Sequence, residues 1–145
     1  MKKFLIIIST FTALFASLLL AFAQGFEDIG SFKTPSGNAF CIASRDTRTN
    51  TAFLTCQLMT ITAKIPAKPK DCDLDWGYRF EMNERGQAAR GCYGDTIANP
   101  NYKTLNYGKT WKVTGFTCDL TKARLRCVNL EKHGFELSKA IQKFF

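Results

Sequence analysis

The chain has one histidine, His133, in 145 residues, and no C-x-x-C pair. That scarcity argues against a zinc site, which draws on clustered histidines and closely spaced cysteines. No G-x-S-x-G elbow and no H-E-x-x-H pair occurs, so the common serine-hydrolase and metalloprotease patterns are missing. A calcium loop of the helix-loop-helix kind is excluded too. Counted from Asp71, the positions that need Gly and Glu hold Trp76 and Met82. Nothing is repeated or low in complexity. After residue 23 the hydrophobic segments are short and interrupted by Gly, Asn, Asp and Pro, the punctuation of an all-β domain.

The one long apolar run is at the start. Met1-Lys2-Lys3 precedes Phe4 to Leu20, and Ala21-Phe22-Ala23 precedes Gln24. A basic start, an apolar middle and an A-x-A end are the parts of a cleavable secretory signal. The run is near spanning length, so an uncleaved anchor is the competing reading. Small residues at the cleavage positions favour cleavage, and no cysteine follows to carry a lipid. The expectation is a signal at 1–23 and one domain at 24–145. Loss of Lys2 and Lys3 leaves 18 basic and 12 acidic residues, a net charge of +6. Such a charge draws a domain weakly toward anionic polymers, lipid headgroups or nucleic acid, although the lysines are scattered.

All six cysteines, Cys41, Cys56, Cys72, Cys92, Cys118 and Cys127, lie in the exported part. An even count in an exported chain implies a disulfide framework. Phe40 to Ala43 and Ala52 to Ile61 read as strands around the polar turn Asp46 to Asn50. Thr110 to Leu120 and Leu125 to Leu130 read as a second hairpin. Opposed residues of an antiparallel hairpin have numbers of constant sum. Cys41 and Cys56 share theirs with Asp46 and Thr51, and Cys118 and Cys127 share theirs with Thr121 and Arg124. Each pair therefore faces across its hairpin at roughly 4.5–5.5 Å between α-carbons, a distance that a disulfide bridges. Cys72 and Cys92 remain. A hairpin of Tyr78 to Met82 with Gln87 to Cys92 places Gly77 opposite Cys92, so this bond must reach back to the segment before the strand. The expected connectivity is sequential.

Lys64 to Lys70, with Pro66 and Pro69, reads as an exposed connection. Ser138 suits a helix N-cap, and Ile141, Phe144 and Phe145 fit a helical stripe, so Ser138 to Phe145 is expected to be a short closing helix. The architecture expected is a small disulfide-stapled antiparallel β barrel or sandwich of about six to eight strands with that helix.

Several ungapped motifs then occur in order: Thr34-Pro35-Ser36-Gly37-Asn38, Asp71-Cys72-Asp73-Leu74-Asp75-Trp76-Gly77, Cys92-Tyr93-Gly94-Asp95-Thr96, Tyr107-Gly108 with Trp111, and His133-Gly134-Phe135. From about Phe32 to Phe145 the chain resembles an uncharacterised family of exported bacterial domains. The resemblance implies a secreted bacterial domain and no activity. Lys132 stands where members tend to have Gly, and Ala123 where a turn glycine is usual.

Three groups of residues bear on function. Asp71, Asp73 and Asp75 would share one face of an extended backbone, and with Asp95 they make a loose oxygen cage for calcium conceivable; the expectation is nonetheless no metal and no cofactor. His133 is the only base for a relay, with Asp95 or one of the three aspartates as partner, but it sits in a turn-like His-Gly-Phe without a partner motif. Trp76, Tyr102, Tyr107 and Trp111 are the candidate binding aromatics, with Tyr102 and Tyr107 the more exposed. Lys103, Tyr107 and Lys109 are too sparse for specific nucleic-acid binding. The reading is a non-catalytic binding module, periplasmic or secreted, whose partner is an anionic envelope polymer, a glycan or a protein. A hydrolase using His133 and a secreted enzyme inhibitor are the alternatives.

Overall fold

The computed structural model describes residues 25–145; the expected signal at 1–23 lies outside them. The described chain is all-β, with ten strands and no helix. Five strands form one antiparallel sheet in sequence order: β1 (Phe26–Lys33), β2 (Ala39–Asp46), β3 (Ala52–Leu58), β4 (Asp75–Asn83) and β5 (Ala89–Tyr93). The second sheet runs β6 (Lys109–Val113), β7 (Phe116–Leu120), β8 (Leu125–Val128), β9 (Gly134–Leu137) and β10 (Gln142–Phe144). Every strand-to-strand pairing joins neighbours in the chain, so each sheet is a simple meander.

Alternation explains the strands. In β2 the side chains of Ala39, Cys41 and Ala43 turn inward, and in β7 those of Phe116, Cys118 and Leu120 do the same. A single apolar core collects residues from both sheets, including Phe32, Leu54 and Phe80 from the first and Phe116, Leu125 and Phe135 from the second. Aromatic rings cross between them. Phe80 lies 6.1 Å from Phe135 and 6.0 Å from Phe144, and Phe32 lies 5.0 Å from Trp111. Cys41–Cys56 and Cys118–Cys127 sit inside this core, one per sheet, with all four residues fully buried. Each joins directly opposed residues, with α-carbons 4.1 and 4.0 Å apart. Cys72–Cys92, at 5.7 Å, ties the segment before β4 to β5. Each bond contributes ~3 kcal/mol by loop entropy, against a typical net stability of about 5–15 kcal/mol.

The outer face of the second sheet carries a ladder of opposed polar side chains. Thr110, Asp119, Arg126, Glu136 and Lys143 lie in one row across all five strands. Thr110 donates to Asp119 at 2.5 Å, and Glu136 pairs with both Arg124 (3.4 Å) and Arg126 (3.5 Å). Signs alternate from Asp119 to Lys143, which favours this register over its slips.

Four expectations need correction. The closing helix is absent: Ser138 to Phe145 turns and adds β10 to the edge of β9, with Phe144 opposite Phe135. Eight residues are too few to sustain a helix against an open strand edge that offers ladder hydrogen bonds. Ser138 does cap a turn, its Oγ accepting from the Ile141 N–H at 3.0 Å. Thr110 to Leu120 is two strands, because Gly115 turns the chain at φ 88°. The strands β1 and β9 were not foreseen. The β4–β5 register also differs: Arg79 faces Gly91, and after a bulge Trp76 faces Cys92. Gly77 makes that bulge at φ 107°, with Ile65 packed where its Cβ would lie.

Candidate functional site

Three turns meet at one end of the molecule, and each is locked by a hydroxyl side chain. Between β1 and β2, Thr34 Oγ1 accepts from the Ala39 N–H at 3.0 Å. Between β7 and β8, Thr121 Oγ1 accepts from the Ala123 and Arg124 N–H groups at 3.2 and 3.1 Å. Between β9 and β10, Ser138 serves Ile141 as above. These side chains give the turns a local alternative to ladder bonds, the reason Ser and Thr favour such positions.

The three turns, with Tyr107, surround a cleft of about 350 Å³. Its floor is made of Ala39, Leu58, Leu120, Leu125 and Leu137, and Ser36 and Asn38 stand on one wall. Its charged residues are Lys122, Arg124 and Lys139, and no carboxylate lines it. Arg124 is shared with Glu136. Lys122 and Lys139 make no ion pair among the described residues. The backbone of Lys139 is fixed, because its carbonyl accepts from Thr62 N at 2.7 Å and Thr62 Oγ1 at 3.1 Å. Both lysines are exposed on pinned turns. Such a site attracts anions and repels cations. Its lining holds no imidazole, carboxylate or thiol beside the hydroxyls.

A model of a family of unknown function, DUF6636, matches residues 12–145. The chain belongs to this family. No curated protein and no solved structure matches it. The DUF6636 match reaches across all three turns of the cleft.

In this DUF6636 chain the four candidate aromatics are dispersed. Tyr107 is 40% exposed and lines the cleft. Trp111 packs on Phe32 against the core. Trp76 donates its Nε1–H to the Pro66 carbonyl at 3.0 Å, holding the proline-containing connection. Tyr102 lies against Phe40, 6.5 Å between rings, and burial raises its phenol pKa, with the Asp28 charge adding to the effect. Only Tyr107 reaches the cleft.

The aspartates and the histidine do not assemble. Asp71 and Cys72 lie in a turn, and only Asp75 belongs to β4, so the three carboxylates do not line one strand face. Among the described residues no three of His, Cys, Asp and Glu are grouped to hold a metal. His133 is half-buried, and its backbone N–H and carbonyl both bond Asn129. No hydrogen bond joins its ring to an aspartate among the described residues. Asp95 instead offers its backbone carbonyl to Arg79, whose guanidinium stacks 4.6 Å from the centre of the Tyr93 ring.

Lys122, Arg124 and Lys139 were missed from sequence. Lys122 and Lys139 each follow a hydroxyl residue, Thr121 and Ser138, and Arg124 closes the Thr121 turn, a local signal. The turns themselves are far apart in the chain, and only the fold brings them together.

Proposed function

We propose that the protein is an exported, non-catalytic binding module of the bacterial envelope or surroundings, built as a sandwich of its two sheets, and that the cleft holds an anionic ligand. Three disulfides fit an oxidising compartment, and residues 1–23 have the composition of a secretory signal. The observation that carries the reading is the cleft's charge: three cations, no carboxylate, and two lysines that make no ion pair among the described residues. Exposed charge pairs contribute only about 0.2–1 kcal/mol each, so affinity should be modest and should weaken with salt.

The test is sedimentation of the oxidised protein with bacterial cell walls that carry an anionic polymer, and with walls stripped of it. Retention should need the polymer and fall in a Lys122→Glu/Lys139→Glu variant. A Lys68→Glu/Lys70→Glu variant has the same net charge, altered on the exposed connection, and should keep it. Equal loss in both variants would mean that net charge, not the cleft, does the binding.

A further inference from the structure

We infer that the occupant of the cleft is the acidic end of a saccharide, one or two sugar units bearing a carboxylate. This rests on the anion-binding reading and narrows it. The cleft's volume of about 350 Å³ is at the low end of the roughly 300–1,000 Å³ of small-molecule sites. It suits a small molecule or a chain end. A polymer laid across the surface needs an open groove instead. A bare inorganic anion needs no cavity of this size.

Three further features select among small anions. A lipid tail needs apolar wall to cover, yet Leu58, Leu120, Leu125 and Leu137 are only 2–4% exposed. The floor is closed, so the protein adds almost no apolar surface of its own to the burial of an acyl chain there. The walls also carry polar groups. Ser138 Oγ accepts from Ile141 and keeps its own proton to donate, and Ser36, exposed in the same lining, accepts from the Asn38 N–H. Sugar hydroxyls are the natural partners of such groups. Finally, Tyr107 offers an aromatic surface at the rim. An aromatic ring packs well against the C–H face of a pyranose, a use that an inorganic ion cannot make of it. Lys122 and Lys139 then supply the charge for the carboxylate.

The test is calorimetric titration of the oxidised protein with digalacturonate, with the neutral disaccharide maltose, and with sodium acetate. Digalacturonate should bind at least tenfold tighter than either of the others. Lys139→Gln and Tyr107→Ala should each weaken it severalfold while leaving the unfolding midpoint near that of the wild type. Both side chains are at the exposed rim, which keeps the fold out of the comparison. If acetate binds as tightly as digalacturonate, the saccharide is wrong and the anion site stands. If maltose binds as tightly, the anion site falls. If none of the three binds, both readings fall.

Discussion

The α-carbon of Gly134 faces the carbonyl oxygen of Cys127 so closely that a methyl group placed on Gly134 would overlap it. The contact lies where β8 passes β9, one residue from the fully buried Phe135 and beside the Cys118–Cys127 bond. On its other side Gly134 exchanges both backbone hydrogen bonds with Phe145, at 2.9 and 3.1 Å. His133-Gly134-Phe135 is therefore accounted for by packing. Gly134→Ala should destabilise the protein by more than about 3 kcal/mol, because backbone rather than a flexible side chain stands in the way. His133→Ala, which keeps the Asn129 bonds to the backbone, should cost under about 1 kcal/mol. Denaturant unfolding of both variants measures the contrast; a harmless Gly134→Ala would refute the account.

Lys132, in the same turn, adopts φ 69°. A side chain in that left-handed region costs roughly 1–2 kcal/mol, and glycine avoids it. Glycine's greater freedom in the unfolded chain takes back about 0.5–1 kcal/mol. Lys132→Gly should thus stabilise by up to about 1.5 kcal/mol. Ala123 makes the opposite case. No residue of its turn has positive φ, so Ala123→Gly should gain nothing and lose a few tenths of a kcal/mol. A pair of thermal unfolding curves, one rising and one falling against wild type, is the expected outcome.

These positions show what a linear reading can reach. Where a turn is local, its residues fix the pairing of the flanking strands: Asp46 and Thr51 close β2–β3, and Thr121 and Arg124 close β7–β8. The β4–β5 loop is held from elsewhere. Asn129 donates to the carbonyls of Asn83 and Gly86, and Glu131 accepts from the Gly86 N–H. Its register therefore depends on residues more than forty positions away and was misread by one. Strand β1 was hidden by its bulge between Asp28 and Gly30, which breaks the alternation. The stripe of Ile141, Phe144 and Phe145 fits a helix on paper, but the free edge of β9 decided for a strand. The cleft was illegible for the same reason as the β4–β5 register. Lys122 and Lys139 look like scattered surface charges until the fold sets their turns side by side.

Cys72–Cys92 differs from the other two bonds in access. Cys92 is exposed, whereas Cys41, Cys56, Cys118 and Cys127 are fully buried. Thiol–disulfide exchange requires a thiolate to reach a sulfur atom, so access sets the order of reduction in the native state. Increasing dithiothreitol without denaturant, followed by alkylation and peptide mapping, should label Cys72 and Cys92 first. Labelling of Cys41 or Cys118 at the same reductant concentration would show that the protein opens globally before any bond is attacked. Once reduced, the segment from Met59 to Leu74 keeps its Trp76–Pro66 hydrogen bond but loses its covalent tie to β5. Tryptic cleavage after Lys64 or Lys70 should then accelerate, while the core disulfides keep the rest intact.

Glu81 lies over Gly91 on the opposing strand, where a Cβ would sit 2.6 Å from the Glu81 carboxyl carbon. Burial raises its pKa above the ordinary 4.5, and the charge of Arg79 offsets part of the rise. The folded state thus holds the proton more tightly than the unfolded chain. Its contribution to stability is fully present below pH 4.5 and is lost as pH climbs through the raised value. At neutral pH the ionised carboxylate is a burden that an amide of the same shape does not carry. Glu81→Gln should therefore have the higher thermal midpoint at pH 7, with the gap closing by pH 3. Asp46 and Glu131 titrate the other way, their pKa values lowered mainly by backbone N–H donors, so wild type and variant both lose stability as acid is added. Only the difference between the two curves reports on Glu81. A gap that widened toward low pH would mean that the Arg79 charge, rather than burial, governs the site.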